Sequence, residues 1–585
     1  MIATAEALLQ ADWLSPLDAH FAHTMARLSG SSDPLVLLGA AVASRAPAHG
    51  HVCAELPQLV LSPILDDEDQ PLDMSWPDLD TWLSALRVSG LISRPDRPAP
   101  LVMDEAGNLY LWRYWDYQRR LISALHARSG AAAQVDEGLL AIGLDKLFRD
   151  AEPGDLQRAA AEMAVRRKLA VISGGPGTGK TTTVVKVMAL VEEQLPEPAR
   201  ILLVAPTGKA AARMQESVQS QLAQLEAPRV VKAVLEEVEA TTIHRRLGWR
   251  PSSPTRFRHG RDNPLQADLV IVDEASMVDL ALMTKLVEAV RPQARLVLLG
   301  DRDQLASVEA GAILGDICAA PSDTAQDLAG SIVHLRRSWR FDDTSGIGNL
   351  ARSVNAGDAT RALEILDGGE HASVALLPSG PQSRPDQLLG DRLVQGYRRL
   401  AQARDPAQAL AALSDFRVLC AHRRGRFGME ALNRLAREQL SRAGLIEGYG
   451  DWFHGRPVIV TRNDYGLGLF NGDTGVAMHD EEGRLRVWFE GSGGALRALH
   501  PARLPACESV YAMTVHKSQG SEFDRVLLLL PQQPSPILTR ELVYTGLTRA
   551  RSSVTVVSSA EVLRSAIEGR IQRSSGLRAA LWGGA

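Results

Sequence analysis

The segment GGPGTGKT at 174–181 has the spacing G-x-x-x-x-G-K-[ST], the pattern of a loop that cradles the phosphates of a nucleotide. Gly174, Gly177 and Gly179 let the main chain turn tightly and aim its N–H groups at a phosphate chain, with Gly175, Pro176 and Thr178 completing the loop. Lys180 brings a point charge to the β- and γ-phosphates. The hydroxyl of Thr181 suits Mg²⁺, and Thr182 opens the following helix. Well downstream, Asp273 and Glu274 end the apolar run LVIV. There Asp273 would hold Mg²⁺ together with Thr181, and Glu274 would orient and deprotonate an attacking water. Gln304 follows the next apolar run and is placed to sense the γ-phosphate, with a plain turn cap as the other reading. Arg340 in HLRRSWRF and Arg549 in VYTGLTRAR are arginines able to reach a γ-phosphate across a cleft. RRSWR offers several arginines, so a surface basic turn also stands as a reading there. Gln157 lies ahead of the loop on a helix, and its amide can donate and accept at once, which suits adenine.

These groups work only where strand ends present them. LAVI before the loop reads as a buried strand and TTVVKVMALVEE after it as a helix, so the order is strand, loop, helix. ILLVA, LVIV and RLVLLG repeat the strand-then-helix habit of a parallel sheet, whose ligands bind at the carboxyl ends of the strands. The same α/β habit runs over 346–585. Within it, GRPVIVTRNDYGLGLFNGDTGVAMHDEEGRLRVWFEG alternates and turns at N-G-D and E-E-G, which predicts a small β-barrel insertion of SH3 type near 448–508. Residues 1–120 read as a mainly helical docking or packing domain. In it, 28–44 is expected to be one buried helix, WPDLDTWLSALRVSGLI an amphipathic helix ended by Gly90, and 104–115 a hairpin followed by a helix carrying Tyr117 and Arg119. The acidic run DDED at 66–69 reads as a solvated loop. The domain bounds expected are 1–120, 121–345 with a basic hairpin near 245–262, and 346–585. The closing GRIQRSSGLRAALWGGA is basic and expected to lie on the surface.

A chain of 585 residues exceeds a single core and implies about three to four domains. Its 45% hydrophobic and 23% charged content is that of a soluble globular protein. With a net charge of −5 no global basic field announces a nucleic acid, so such a site must come from local clusters. One cluster is TTIHRRLGWRPSSPTRFRHGRDNPLQ, which gathers Arg245, Arg246, Arg250, Arg256, Arg258 and Arg261 with Trp249 and Phe257. Guanidinium and ring together make a strand-binding composition; a solvated basic loop is the alternative. Thr207 and Lys209, at a strand's carboxyl end, are a second candidate surface. The N-terminus lacks a basic segment with a long apolar core, and the longest apolar run, 35–43, is too short to span a bilayer. Cys53, Cys318, Cys420 and Cys507 are far apart with no C-x-x-C pair, which suits reduced thiols in the cytoplasm.

Taken in order, GGPGTGKT, APTGKAAARM, LVIVDEASMVD, LLGDRDQLASVEAG, TVHKSQGSEFD and VYTGLTRAR resemble the motif set of superfamily one helicases. With TIHRRLG, the VTRND…LFNGD block, RYW near Trp115 and the closing RSSGL, they are similar to the RecD family, the alpha subunit of exodeoxyribonuclease V. The resemblance runs from about residue 100 to the end; the first hundred residues match less distinctively. It implies two RecA-like P-loop domains with parallel sheets. It implies a 5′→3′ translocase and helicase on single-stranded DNA and duplex ends, driven by ATP with Mg²⁺. It also implies work beside RecB- and RecC-like subunits in double-strand break repair and recombination. Residue by residue, it implies Gln157 on adenine, 174–182 on the phosphates, and Asp273 and Glu274 on Mg²⁺ and water. Gln304, Arg340 and Arg549 would meet the γ-phosphate. Thr207, Lys209, His244, Thr514, His516, Lys517 and Gln519 would face DNA. A stand-alone helicase without RecB and RecC, or a slowly hydrolysing scaffold subunit, are the alternatives; intact Lys180, Asp273, Glu274 and Arg549 favour a motor. No nuclease carboxylate–lysine cluster is evident, so nuclease activity would belong to a partner.

Overall fold

The computed structural model describes residues 2–66, 71–93, 100–250, 253–321, 327–341, 344–447, 450–464, 466–491 and 495–583. Most of the acidic run at 66–69, and Pro251 and Ser252 at the tip of the basic hairpin, lie outside the described residues.

The apolar runs become the strands of two parallel sheets. The first has six strands in the spatial order Ile332–Leu335, Leu169–Gly174, Arg295–Gly300, Leu269–Val272, Ile201–Ala205 and Ala240–Thr242, all paired in parallel. Leu169–Gly174 shows why: every one of its residues is buried, as expected of strands covered by helices on both faces. The second has five strands in the order Val374–Pro378, Ala550–Ser558, Phe523–Leu529, Phe416–Cys420 and Ala512–Thr514, again parallel. Between its strands Phe416–Cys420 and Ala512–Thr514 the chain builds a separate antiparallel sheet, ordered Leu496–Leu499, Leu485–Glu490, Thr474–His479, Arg456–Val460 and Cys507–Ser509. Where a small barrel was expected, the structure has this five-stranded antiparallel sheet. No described helix is long and apolar enough to cross a membrane.

The N-terminal region mixes helices with a four-stranded sheet of Ala54–Glu55, Asn108–Leu111, Leu101–Met103 and Ile92–Ser93. The single helix expected over 28–44 is two. Pro16–Ser29 ends at Gly30, which is left-handed with φ 69°, and Pro34–Ala48 starts afresh behind Asp33, whose Oδ1 accepts from the Leu35 N–H at 2.8 Å. A left-handed glycine closes a helix and proline fits the first turn of the next. The hairpin turns at Gly107 as expected, but Trp112 already opens the helix Trp112–Ser129. That helix is pinned to the first parallel-sheet unit by the buried Arg128. Its guanidinium donates to the carbonyls of Val290 and, at 3.3 Å, Ala294, satisfying acceptors left over just beyond the helix Leu280–Ala289.

The closing segment is not on the surface. Leu577, Leu581 and Trp582 are buried in the core that holds Tyr110, Leu121 and Leu125. Ser574 O accepts from the Val52 N–H at 2.8 Å and the Trp582 indole donates to Asp316 O at 2.9 Å. Its basic residues made the segment read as solvated. Yet Arg573 spends its guanidinium on the carbonyls of His49 (2.8 Å) and Ser307 (3.2 Å), while Leu577 and Leu581 fall on one helical face. The tail therefore leaves the second parallel-sheet unit and docks between the first and the N-terminal region. Leu577→Ala is expected to destabilise the chain by about 2–5 kcal/mol, read from the urea midpoint. An unchanged midpoint would mean the tail is detached in solution.

Candidate active site

The loop 174–181 joins the strand Leu169–Gly174 to the helix Lys180–Glu193. Gly177 and Gly179 take φ of 77° and 82°, the left-handed region that glycine alone enters at little cost. The space is equally demanding. A Cβ on Gly179 would lie 2.2 Å from Gln157 Nε2, and one on Gly177 would lie 2.4 Å from Arg340 Cβ. Gly177→Ala is thus expected to cost about 1–3 kcal/mol in backbone strain and to displace Arg340, lowering nucleotide affinity in an equilibrium titration. Gln157 donates from Nε2 to Thr178 O at 3.0 Å, which holds it beside the loop. Lys180 Nζ rests on the carbonyls of Gly174 and, at 3.0 Å, Gly175. Thr182 Oγ1 donates to Gln221 at 3.0 Å.

Asp273 and Glu274 follow the strand Leu269–Val272. Burial, reinforced by the neighbouring Glu274 carboxylate, pushes the Asp273 carboxyl up to about 6, with Lys180 and Arg213 pulling the other way. Glu274 has φ 50°, one of two described non-glycine residues on the positive side; strain of this kind persists where the surroundings enforce it. Two carboxylates crowded beside a lysine and a phosphate loop form a donor set that calls for a cation. Among the described residues no three His, Cys, Asp or Glu side chains gather into a cage. That fits Mg²⁺, which takes one or two carboxylates and completes its shell with phosphates and water.

The second sheet's unit supplies the opposite wall. A cavity of about 620 Å³ is lined by the loop, Gln157, Asp273, Glu274, Gln304 and Arg340 from one unit, and by Gly520, Glu522 and Arg549 from the other. Lys180 and Arg549 therefore share one crevice. Arg549 is buried, and its guanidinium donates to Thr545 O at 3.1 Å and Ser521 O at 3.3 Å. Arg340 and Arg213 meet Glu522 at 2.9 and 2.7 Å. Despite burial, which acts the other way, Arg213 and Arg340 hold the Glu522 carboxyl down to about 2. This pairing contributes stability above the unfolded carboxylate value of about 4.5 and loses it only as pH falls toward 2. A larger, more open hollow of about 870 Å³ beside the helix Arg229–Glu236 holds none of the phosphate-loop or carboxylate residues.

Family models described as "RecBCD enzyme subunit RecD, N-terminal domain", "AAA domain" and "UvrD-like helicase C-terminal domain" match residues 10–110, 157–310 and 509–557. A Mycolicibacterium smegmatis protein named RecBCD enzyme subunit RecD is 42% identical over 581 residues, covering 97% of each chain. The chain belongs to the RecD family. A Haemophilus influenzae protein of the same name is 31% identical over 648 residues, covering 99% of each. A Deinococcus radiodurans protein named ATP-dependent RecD2 DNA helicase is 33% identical over 402 residues, covering 68% of this chain and 47% of that one. The N-terminal match carries the RecD likeness into the first hundred residues, where the motifs were least distinctive.

The residues expected to face DNA in this RecD-family chain are less uniformly placed. Thr207 Oγ1 caps its helix by accepting from the Ala210 N–H at 3.2 Å. Lys209 is desolvated, its ammonium pushed down to about 8 by burial and then by Arg417 and Arg213. Beside it, a Cβ on Gly208 would lie 3.1 Å from Phe470. His244 sits against Phe257, ring centroids 5.7 Å apart. Thr514 Oγ1 accepts from the Lys517 N–H, and Lys517 Nζ pairs with Glu508 at 3.1 Å. Burial lowers the His516 imidazole. Gln519 is buried and donates to Leu305 O at 2.9 Å, which links the two units. Four residues escaped the sequence reading. Arg213 and Glu522 lie inside quoted motifs. Trp339 adjoins Arg340, donates its main-chain N–H to Gly177 O at 2.8 Å and is 63% exposed at the cleft. Tyr544 lies five residues before Arg549.

Proposed function

We propose that this RecD-family chain is an ATP-dependent DNA helicase that moves 5′→3′ on single-stranded DNA entered from duplex ends. It would act in the cytoplasm with RecB- and RecC-like subunits, in break repair and recombination. The observation that supports this best is the cleft in which Lys180 and Arg549, from different parallel-sheet units, line one cavity. A nucleotide clamped there ties the two units together, and its cleavage lets them part.

Gln157 would hydrogen-bond the base and the exposed Trp339 would stack on it. The loop and Lys180 take the phosphates, Glu274 orients and deprotonates water, and Gln304, Arg340 and Arg549 meet the γ-phosphate. Mg²⁺ held through Thr181 and Asp273 supplies charge stabilisation to the phosphates. The units at 1–120, 121–345 and 346–585 act as docking region, first motor domain and second motor domain, the last carrying the SH3-type insertion. The test is unwinding of duplexes with only a 5′ or only a 3′ tail, with and without partner subunits. Unwinding restricted to 3′ tails would overturn the polarity, and no unwinding with either would overturn the reading.

The hairpin Trp249–Arg250 with Ser253–Phe257 is placed here as the strand-splitting wedge. Each base-pair step costs about 1.4 kcal/mol of stacking to open. Deleting 251–258 is expected to abolish strand displacement while leaving translocation on a single strand intact. Full displacement by the deleted chain would rule the wedge out.

A further inference from the structure

We propose that Asp301 and Tyr544 are positioning residues for hydrolysis: together they fix Gln304 and make turnover depend on the second unit being seated. The inference rests on the helicase reading above and adds a joint to it. Asp301 Oδ2 receives two donors from opposite sides of the cleft, Gln304 Nε2 at 3.2 Å and Tyr544 Oη at 2.9 Å. All three side chains are buried. A carboxylate only accepts, so the Gln304 amide nitrogen must face Asp301 and its Oε1 must point away from that carboxylate. The rotamer of the candidate γ-phosphate sensor is therefore set by a group whose other partner belongs to the second unit.

Two further contacts converge on the same loop. Thr545, next to Tyr544 on the helix Arg540–Leu547, accepts from the Leu305 N–H at 2.9 Å. Gln519 donates to Leu305 O at 2.9 Å. Tyr544 also reaches the phosphate loop, since a Cβ on Gly175 would lie 2.7 Å from its hydroxyl. Burial, then the Asp301 charge, keeps the Tyr544 phenol well above its usual range, so it stays a donor. When the helix Arg540–Leu547 moves away, Asp301 loses a partner and Gln304 loses its fixed orientation. A nucleotide bound in an unseated cleft would then be held but not cleaved.

Tyr544→Phe removes one oxygen and tests the joint in the full chain, alone and with its partner subunits. DNA-stimulated kcat is expected to fall about tenfold, the worth of one well-placed hydrogen bond to a charged group, with KM for ATP unchanged within about twofold. Adding Gln304→Ala to Tyr544→Phe is expected to cost no more than Gln304→Ala alone, because both act through one orientation. Losses that multiply, or an undiminished kcat, overturn the joint. Should Tyr544→Phe melt early, Asp301→Asn carries the same cycle from the first unit, with the same two outcomes. If the unaltered chain shows no DNA-stimulated turnover, it is the helicase reading that fails; if it turns over and the losses multiply, only the joint does.

Discussion

Lys180→Gln is expected to lower DNA-stimulated ATP turnover by about a hundredfold or more, the usual cost of removing one preorganised charge-stabilising donor. The side chain is already posed: its Nζ lies on the carbonyls of Gly174 and Gly175 at the mouth of the loop. Among the described residues, no cation of the cleft's first wall is left to replace it. Arg213 and Arg340, the other cations at the cleft's first wall, are engaged by Glu522. Glutamine keeps the length but carries no charge, so nucleotide affinity should fall along with kcat. A coupled assay of ADP release decides the matter, and a variant retaining more than about a tenth of the turnover would refute the role.

Arg549→Ala is expected to lose about a thousandfold in turnover, within the range attributed to arginine fingers, but for a different reason. Arg549 belongs to the second unit and reaches the cleft only while that unit is docked. Its guanidinium is held by the carbonyls of Thr545 and Ser521, which fixes its direction. Removing it should spare nucleotide binding, since the phosphate loop is untouched, and abolish cleavage. Arg549→Lys should not rescue, because an ammonium lacks the planar fork that satisfies two carbonyls and a phosphate at once. Binding of a fluorescent nucleotide beside turnover separates the two substitutions. If Arg549→Ala weakens binding as much as Lys180→Gln does, the arginine is holding the ground state and is not a finger.

The sheets were legible because buried parallel strands need near-continuous apolar runs, and LAVI, ILLVA, LVIV and RLVLLG are such runs. The phosphate loop was legible because few residue types permit its backbone. The break between Pro16–Ser29 and Pro34–Ala48 was also written in the chain, as Gly30 and Pro34; the apolar composition on either side masked it. What stayed hidden depends on partners distant in sequence. Gln519 sits among residues with DNA-facing expectations, and only its contact with Leu305 shows where its amide goes. Glu522 carries no signal of its own until Arg213 and Arg340 are folded against it. The tail misled because arginines that cap carbonyls in the structure look solvated in a composition.

The docked tail has a consequence for synthesis. A chain emerges from the ribosome N-terminus first, at about 5–20 residues per second. The sheet built on Leu169–Gly174 is complete once Leu335 has emerged, but the helix Leu577–Trp582 that covers part of its hydrophobic core arrives on the order of tens of seconds later. During that interval the nascent protein must carry an unsealed apolar surface. A premature stop codon removing only the final helix would leave every candidate site residue in place and still yield a product prone to capture by chaperones.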